Sequence, residues 1–255
     1  MKLLIQAELV KLFRRKAYLL MVVILAGLVG MTAFFVVLFP RIAPDLAEGL
    51  SPISKPDGYL FGAQQVIGQT WFPLILAVMM LGTEMSGTFW ATTLTREARR
   101  LRHVTARLLV LSAASWAAIA AAIIGFSVVV AVGAVGEGVL SGTQWVRIFG
   151  SALLIQVAWV ALGLGLVGLF RSIGPAIGAA LAFSFGEALL GLWRPYGNVS
   201  LTGNSSALLG AVDPDVFGGM LPGAGIPAER AAVVVGIWAV AALALAWWTL
   251  ARRDP

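Results

Sequence analysis

Few side chains in this 255-residue sequence are equipped for chemistry: it holds no cysteine and a single histidine, His103. Zinc, copper and non-haem iron sites draw on clustered His, Cys or carboxylate ligands, so no metal or other cofactor is expected on this chain. Gly163-Leu-Gly165-Leu-Val-Gly168 fits the G-x-G-x-x-G string of dinucleotide sites. That string grips a pyrophosphate only where a strand turns into a helix, and here it lies inside an apolar run. Close helix packing is the expected use of these glycines, and of the Gly174 and Gly178 pair that follows them. Ser184, between Phe183 and Phe185, resembles a nucleophile elbow, but a serine needs a neighbouring base. His103, set among arginines, is expected on the far side of a membrane from it. The four lysines, at 2, 11, 16 and 55, lack the glycine before and the Ser or Thr after that a phosphate-binding loop requires. Neither an enzyme nor an ATP-binding chain is expected.

Two polar groups remain inside apolar runs. Glu187 is a carboxylate where a midplane charge costs about 2.5 to 3.5 kcal/mol on insertion scales. It belongs either to a pathway for cargo or to a helix break near Gly186, where it meets outer water or caps a short helix. Gln64, Gln65, Gln69 and Thr70 make one end of another run polar. Interfacial depth accounts for the first two, while Gln69 is a candidate to face a cavity or a second subunit.

The elements that must carry these residues follow from composition. Sixty per cent of residues are apolar and 12 per cent charged, where soluble domains run near 45 to 50 and about 25 per cent. Too few charges remain to coat a water-facing surface, so an all-α, polytopic membrane protein with one transmembrane domain over 1–255 is expected. Runs long enough to cross about 30 Å of hydrocarbon lie at 17–39, 62–82, 108–133, 146–170, 173–193 and 231–250. The formal charge is +6. Thirteen of the 18 cations fall on one side of six such spans, which puts both termini in the cytoplasm and the chain in the plasma (inner) membrane rather than on nucleic acid. The first run exceeds the core of a signal peptide and is expected to be retained. Before it, Ile5, Leu9, Leu12 and Phe13 share a helical face while Glu8, Lys11 and Arg15 occupy another, so residues 1–16 are expected to form an interfacial helix. Arg171 and Ser172 leave room only for a tight hairpin between the fourth and fifth runs. The stretch 194–230, rich in Gly, Pro, Asn and Ser, reads as an extracytoplasmic loop with short helices at most.

Between the second and third runs stands Gly82-Thr-Glu84-Met-Ser-Gly87-Thr88-Phe89-Trp90, then Leu94-Thr95-Arg96-Glu97-Ala-Arg99-Arg100, leading to Arg107. A loop resting on anionic lipid heads accounts for the arginines but not for Glu84 at the membrane edge. In this order of residues the chain resembles the permease subunits of type-2 ATP-binding-cassette (ABC) transporters. Glu84, Gly87, Thr88, Leu94, Thr95, Arg96, Arg99 and Arg107 follow the family pattern, and the basic amino-terminal helix extends the likeness. Glu97 departs from it, standing where the family often has proline.

The resemblance implies a permease that pairs with a second permease subunit, as a homo- or heterodimer, and with two cognate ABC ATPase subunits that carry the ATP and Mg. Residues 84–107 would form the cytoplasmic coupling loop and helix, in which Glu84, Gly87, Thr88, Phe89, Trp90, Leu94, Thr95, Arg96 and Arg99 serve ATPase coupling. Gln69 and Glu187 would border the translocation pathway, and export of a lipidic, amphipathic or antimicrobial-type cargo is the expected activity. A permease-like signalling or accessory protein that partners an ATPase without moving cargo is the alternative.

Overall fold

Where no water is at hand, a backbone must satisfy its own hydrogen bonds, and the apolar runs accordingly become helices. The computed structural model describes residues 2–46, 52–85, 100–191, 193–208 and 226–252. In chain order the helices are α1 (Lys2–Arg14), α2 (Lys16–Ala33), α3 (Phe39–Ile42), α4 (Lys55–Ile67), α5 (Trp71–Met85), α6 (Arg100–Gly133), α7 (Gly142–Phe170), α8 (Ile173–Leu190), α9 (Arg194–Gly197), α10 (Leu201–Leu208) and α11 (Ala228–Arg252). There is no strand among the described residues, only an isolated bridge between Ser54 and Val135.

Five helical stretches are long and apolar enough to cross a membrane: Lys16–Ile42, Lys55–Met85, Arg102–Gly133, Gly142–Phe170 and Ala228–Thr249. The sixth run, expected at 173–193, is the 18-residue α8, which at about 1.5 Å per residue falls just short of a full hydrocarbon thickness. Helix α7 is the axis of the bundle, packing against α5, α6, α8 and α11. Of its most apolar window 67% is buried, against 22% for the first span, so the first span has most of its surface turned outward. Trp159 of α7 is fully buried, its ring edge-on to Phe183 of α8.

Glycine earns its place on α7 by close approach. A Cβ at Gly163 would lie 2.7 Å from the carbonyl oxygen of Leu74, and one at Gly165 would lie 3.1 Å from Leu245. The G-x-G-x-x-G string is therefore a packing surface for α5 and α11. The Gly174 and Gly178 pair is not: a Cβ at either position meets open space among the described residues.

The second span differs from its sequence reading. It starts at Lys55, where Ser54 caps the helix and accepts from the Asp57 amide, and it is not continuous across 62–82. Residues 68–70 interrupt it between α4 and α5. The first span is irregular too, its α-helix widening into a π-turn at Phe34–Leu38 before Pro40. The α7–α8 hairpin has the tight turn that was expected. Arg171 closes α7 in the left-handed conformation, φ 54°, and Ser172 opens α8.

Candidate functional site

At the end of the bundle where α1 lies, four elements bring charged side chains into one buried group. Glu84 sits in the last turn of α5, Arg107 two turns into α6, Arg15 between α1 and α2, and Glu8 and Lys11 on α1. Glu84, Arg107 and Glu8 are 4%, 3% and 7% exposed, so water does little to screen them.

The carboxylate of Glu84 is the hub. Arg107 Nη2 donates to its Oε2, Arg15 Nη2 to its Oε1 at 3.3 Å, and Lys11 Nζ stands 3.5 Å from the same Oε1. Glu8 closes the ring, with Lys11 Nζ at 3.0 Å and Arg107 Nε at 3.5 Å. Arg15 also donates to the Met80 carbonyl at 3.2 Å and to the Thr83 hydroxyl, which fastens the start of α2 to the last turns of α5. Three cations thus hold two carboxylates. The group contains no nucleophile set beside a base; what it can do is hold α1, α2, α5 and α6 in one register. Charged hydrogen bonds of this kind are directional, so a tilt of any one element disturbs several at once.

The local folding that builds the group is visible on α1. Leu12 is fully buried, and Glu8, one turn earlier, goes inward beside it. Phe13, counted from sequence on the apolar face, is 59% exposed, as are Val10 at 52% and Leu3 at 80%. Ile5, Leu9 and Leu12 pack inward as expected, and Glu8 joins them. The outward face mixes Leu3, Val10 and Phe13 with Lys2, Gln6 and Arg14.

No protein-family model matches this chain, and no curated protein matches it.

Of the residues expected to couple to an ATPase, Glu84 is thus at the centre of the cluster. Gly87, Thr88, Phe89, Trp90, Leu94, Thr95, Arg96 and Arg99 lie outside the described residues. Gln69 occupies the interruption of the second span and repairs it. Its own amide bonds Val66 O at 3.2 Å, one residue short of helical spacing, and its Nε2 donates instead to the stranded Gln65 carbonyl at 3.2 Å. Its Oε1 accepts from the Trp71 indole at 2.7 Å.

Glu187 lies near the opposite end of the bundle and is 2% exposed. Helix α8 continues past Gly186 to Leu190, so the break expected there is absent, but the carboxylate does cap a short helix. Its Oε2 accepts from the Thr202 amide in the first turn of α10 at 2.9 Å, and its Oε1 accepts from the Tyr196 hydroxyl. A carboxylate at a helix N-terminus is favoured by the exposed amides there. Burial, and then the hydrogen bond to Glu187 and its charge, push the Tyr196 phenol up to about 12.

Sequence reasoning missed Glu8, Lys11 and Arg15 as partners of Glu84, because charges beside a membrane span read as solvated. It also passed over Gln156, fully buried in α7, whose Oε1 accepts from Ser115 at 2.5 Å. A glutamine in the middle of an apolar run was the available signal.

Proposed function

We propose that this chain is the membrane-spanning subunit of a type-2 ABC transporter, crossing the bilayer six times with both termini cytoplasmic. It works with a second permease subunit and two ATPase subunits, and it exports a lipidic or amphipathic cargo. One observation carries the reading: Glu84 and Arg107, which flank the stretch 86–99, are bound to each other and, through Glu8, Lys11 and Arg15, to α1. A force applied to that stretch by an ATPase reaches the bundle through this group. The cluster then acts as the joint that converts a push on the cytoplasmic stretch into movement of α5 and α6 together. Gln69 and Glu187 border the pathway, each engaged in local bonds in the state described above. Helix α8 makes the sixth crossing, completed by the segment that leads into α9.

The test is co-purification of ATPase activity with the full chain from its native membrane. ATP hydrolysis is expected with the parent and not with the Trp90→Asp or Leu94→Asp variants, both of which should still insert. If both variants retain the parent's associated ATPase, the coupling role fails. Transport of a labelled amphiphile into vesicles by the reconstituted complex separates a transporter from a signalling protein that binds the same ATPase.

A further inference from the structure

Two apolar grooves run along either side of α6 near the end opposite the charge cluster. The first, about 360 Å³, lies between α2 and α6 and is lined by small residues, among them Gly30, Ala33, Ala122 and Gly125, together with Leu25 and Phe126. The second, about 410 Å³, lies between α6 and the pair α4 and α7, with Tyr59, Trp145 and Phe149 as its aromatic floor and Val128 and Ala131 at its edge. Between them α6 presents a ridge of exposed apolar side chains: Ile124 at 56%, Val128 at 59% and Val132 at 70%.

Neither groove suits water, which needs two to four polar partners in such a space. The hydroxyl of Ser127 in the second groove is already donated to the Ile123 carbonyl at 2.8 Å. At the head of the ridge stands Arg41, exposed, with one guanidinium nitrogen donating to the Val132 carbonyl at 2.8 Å. Its remaining donors point to no other described group.

The spacing matches one kind of molecule. On α6 the first groove runs from Val129 down to Ala118, eleven residues or about 16 Å, half of a hydrocarbon core of about 30 Å. The second groove, from Ala131 to Ile124, descends about 10 Å beside it. A fixed cation therefore sits above two apolar slots, each about as deep as one leaflet or a little less, separated by a single helix.

We propose that α6 is straddled by one bilayer phospholipid, its phosphate on Arg41 and one acyl chain in each groove. The phosphate meets a guanidinium that the Val132 carbonyl already orients. Acyl chains fill spaces that the protein's own side chains leave open, and packing rather than exclusion from water drives their binding. This site is independent of any transport activity.

Native mass spectrometry of the full chain, titrated with a diacyl phosphatidylglycerol and with its single-chain lyso form, tests the proposal. The parent should retain one diacyl lipid with at least about tenfold preference over the lyso form, and Arg41→Gln should lose about tenfold in occupancy. Arg41→Lys should keep most of it. Gly125→Leu fills the first groove from a position where a Cβ meets open space, so it should fold normally and lose the diacyl preference. Equal binding of the two lipid forms by the parent overturns the proposal, as does parent-like occupancy in either Arg41→Gln or Gly125→Leu. Were Arg41→Gln to fail to fold, parent-like diacyl preference in Gly125→Leu would overturn it alone.

Discussion

The bundle buries two carboxylates in different company. Glu84 is surrounded by Lys11, Arg15 and Arg107, whereas Glu187 is held by a phenol and a backbone amide and forms no ion pair among the described residues. The first ties α1 and α2 to α5 and α6, far along the chain; the second links α8 to α9 and α10, within fifteen residues. A charge with charged partners fixes orientation strongly and fails badly when one partner is lost. A charge with neutral donors costs less to disturb. The contrast suits the places they occupy, a joint between long helices and a cap on a short one.

The largest expected effect is at the joint. Glu84→Gln or Arg107→Met takes one charge out of the buried group and leaves the remaining charges unbalanced, which should cost up to about 3–5 kcal/mol, seen as a fall in the unfolding midpoint in detergent. The double Glu84→Met, Arg107→Met variant removes one charge of each sign and should be more stable than either single variant. If the double costs the sum of the singles, the two side chains are not coupled and the comparison collapses.

Next in size is Glu187→Gln, expected to cost about 1–2 kcal/mol in the same assay, because an amide replaces one acceptor with a donor beside the Thr202 amide and the Tyr196 hydroxyl. A loss equal to that of Glu84→Gln would show that neutral and charged company hold a buried carboxylate equally well. The smallest effect is at Tyr196. Its raised pKa means that its bond to Glu187 is fully present below pH 10 and is lost as pH rises through about 12. Tyr196→Phe should cost about 1 kcal/mol at neutral pH and remove a tyrosinate absorbance step near pH 12 from a pH titration. An unchanged titration would place the phenol elsewhere.

The all-helical fold, with helices long and apolar enough to cross a membrane, was legible because 60% apolar residues in long runs favour a backbone that satisfies its own hydrogen bonds. The glycines of α7 were legible as packing residues for the same reason. The partners of Glu84 were not, since α1 and α5 meet only in three dimensions, and a Glu–Lys pair three apart on an amphipathic helix looks the same whether it faces water or a buried arginine. The interruption at 68–70 was hidden because Gln64, Gln65, Gln69 and Thr70 read together as the polar, interfacial end of one continuous run. What marks it is that a glutamine side chain takes over a backbone bond, a substitution invisible in hydropathy. Gly174 and Gly178 have the spacing of a helix contact, and among the described residues the space beside them is open.

The π-turn at Phe34–Leu38 gives the first span a tolerance to changes in length that its regular part lacks. A π-turn holds one residue more than an α-turn, so it is a loop of slack wound into the helix. Removing one residue there lets the turn tighten to α while Arg41, beyond it, keeps its bearing toward Val132. Removing one from Val22–Leu28 has no slack to draw on. It swings everything downstream by about 100°, carrying Arg41 off the head of α6.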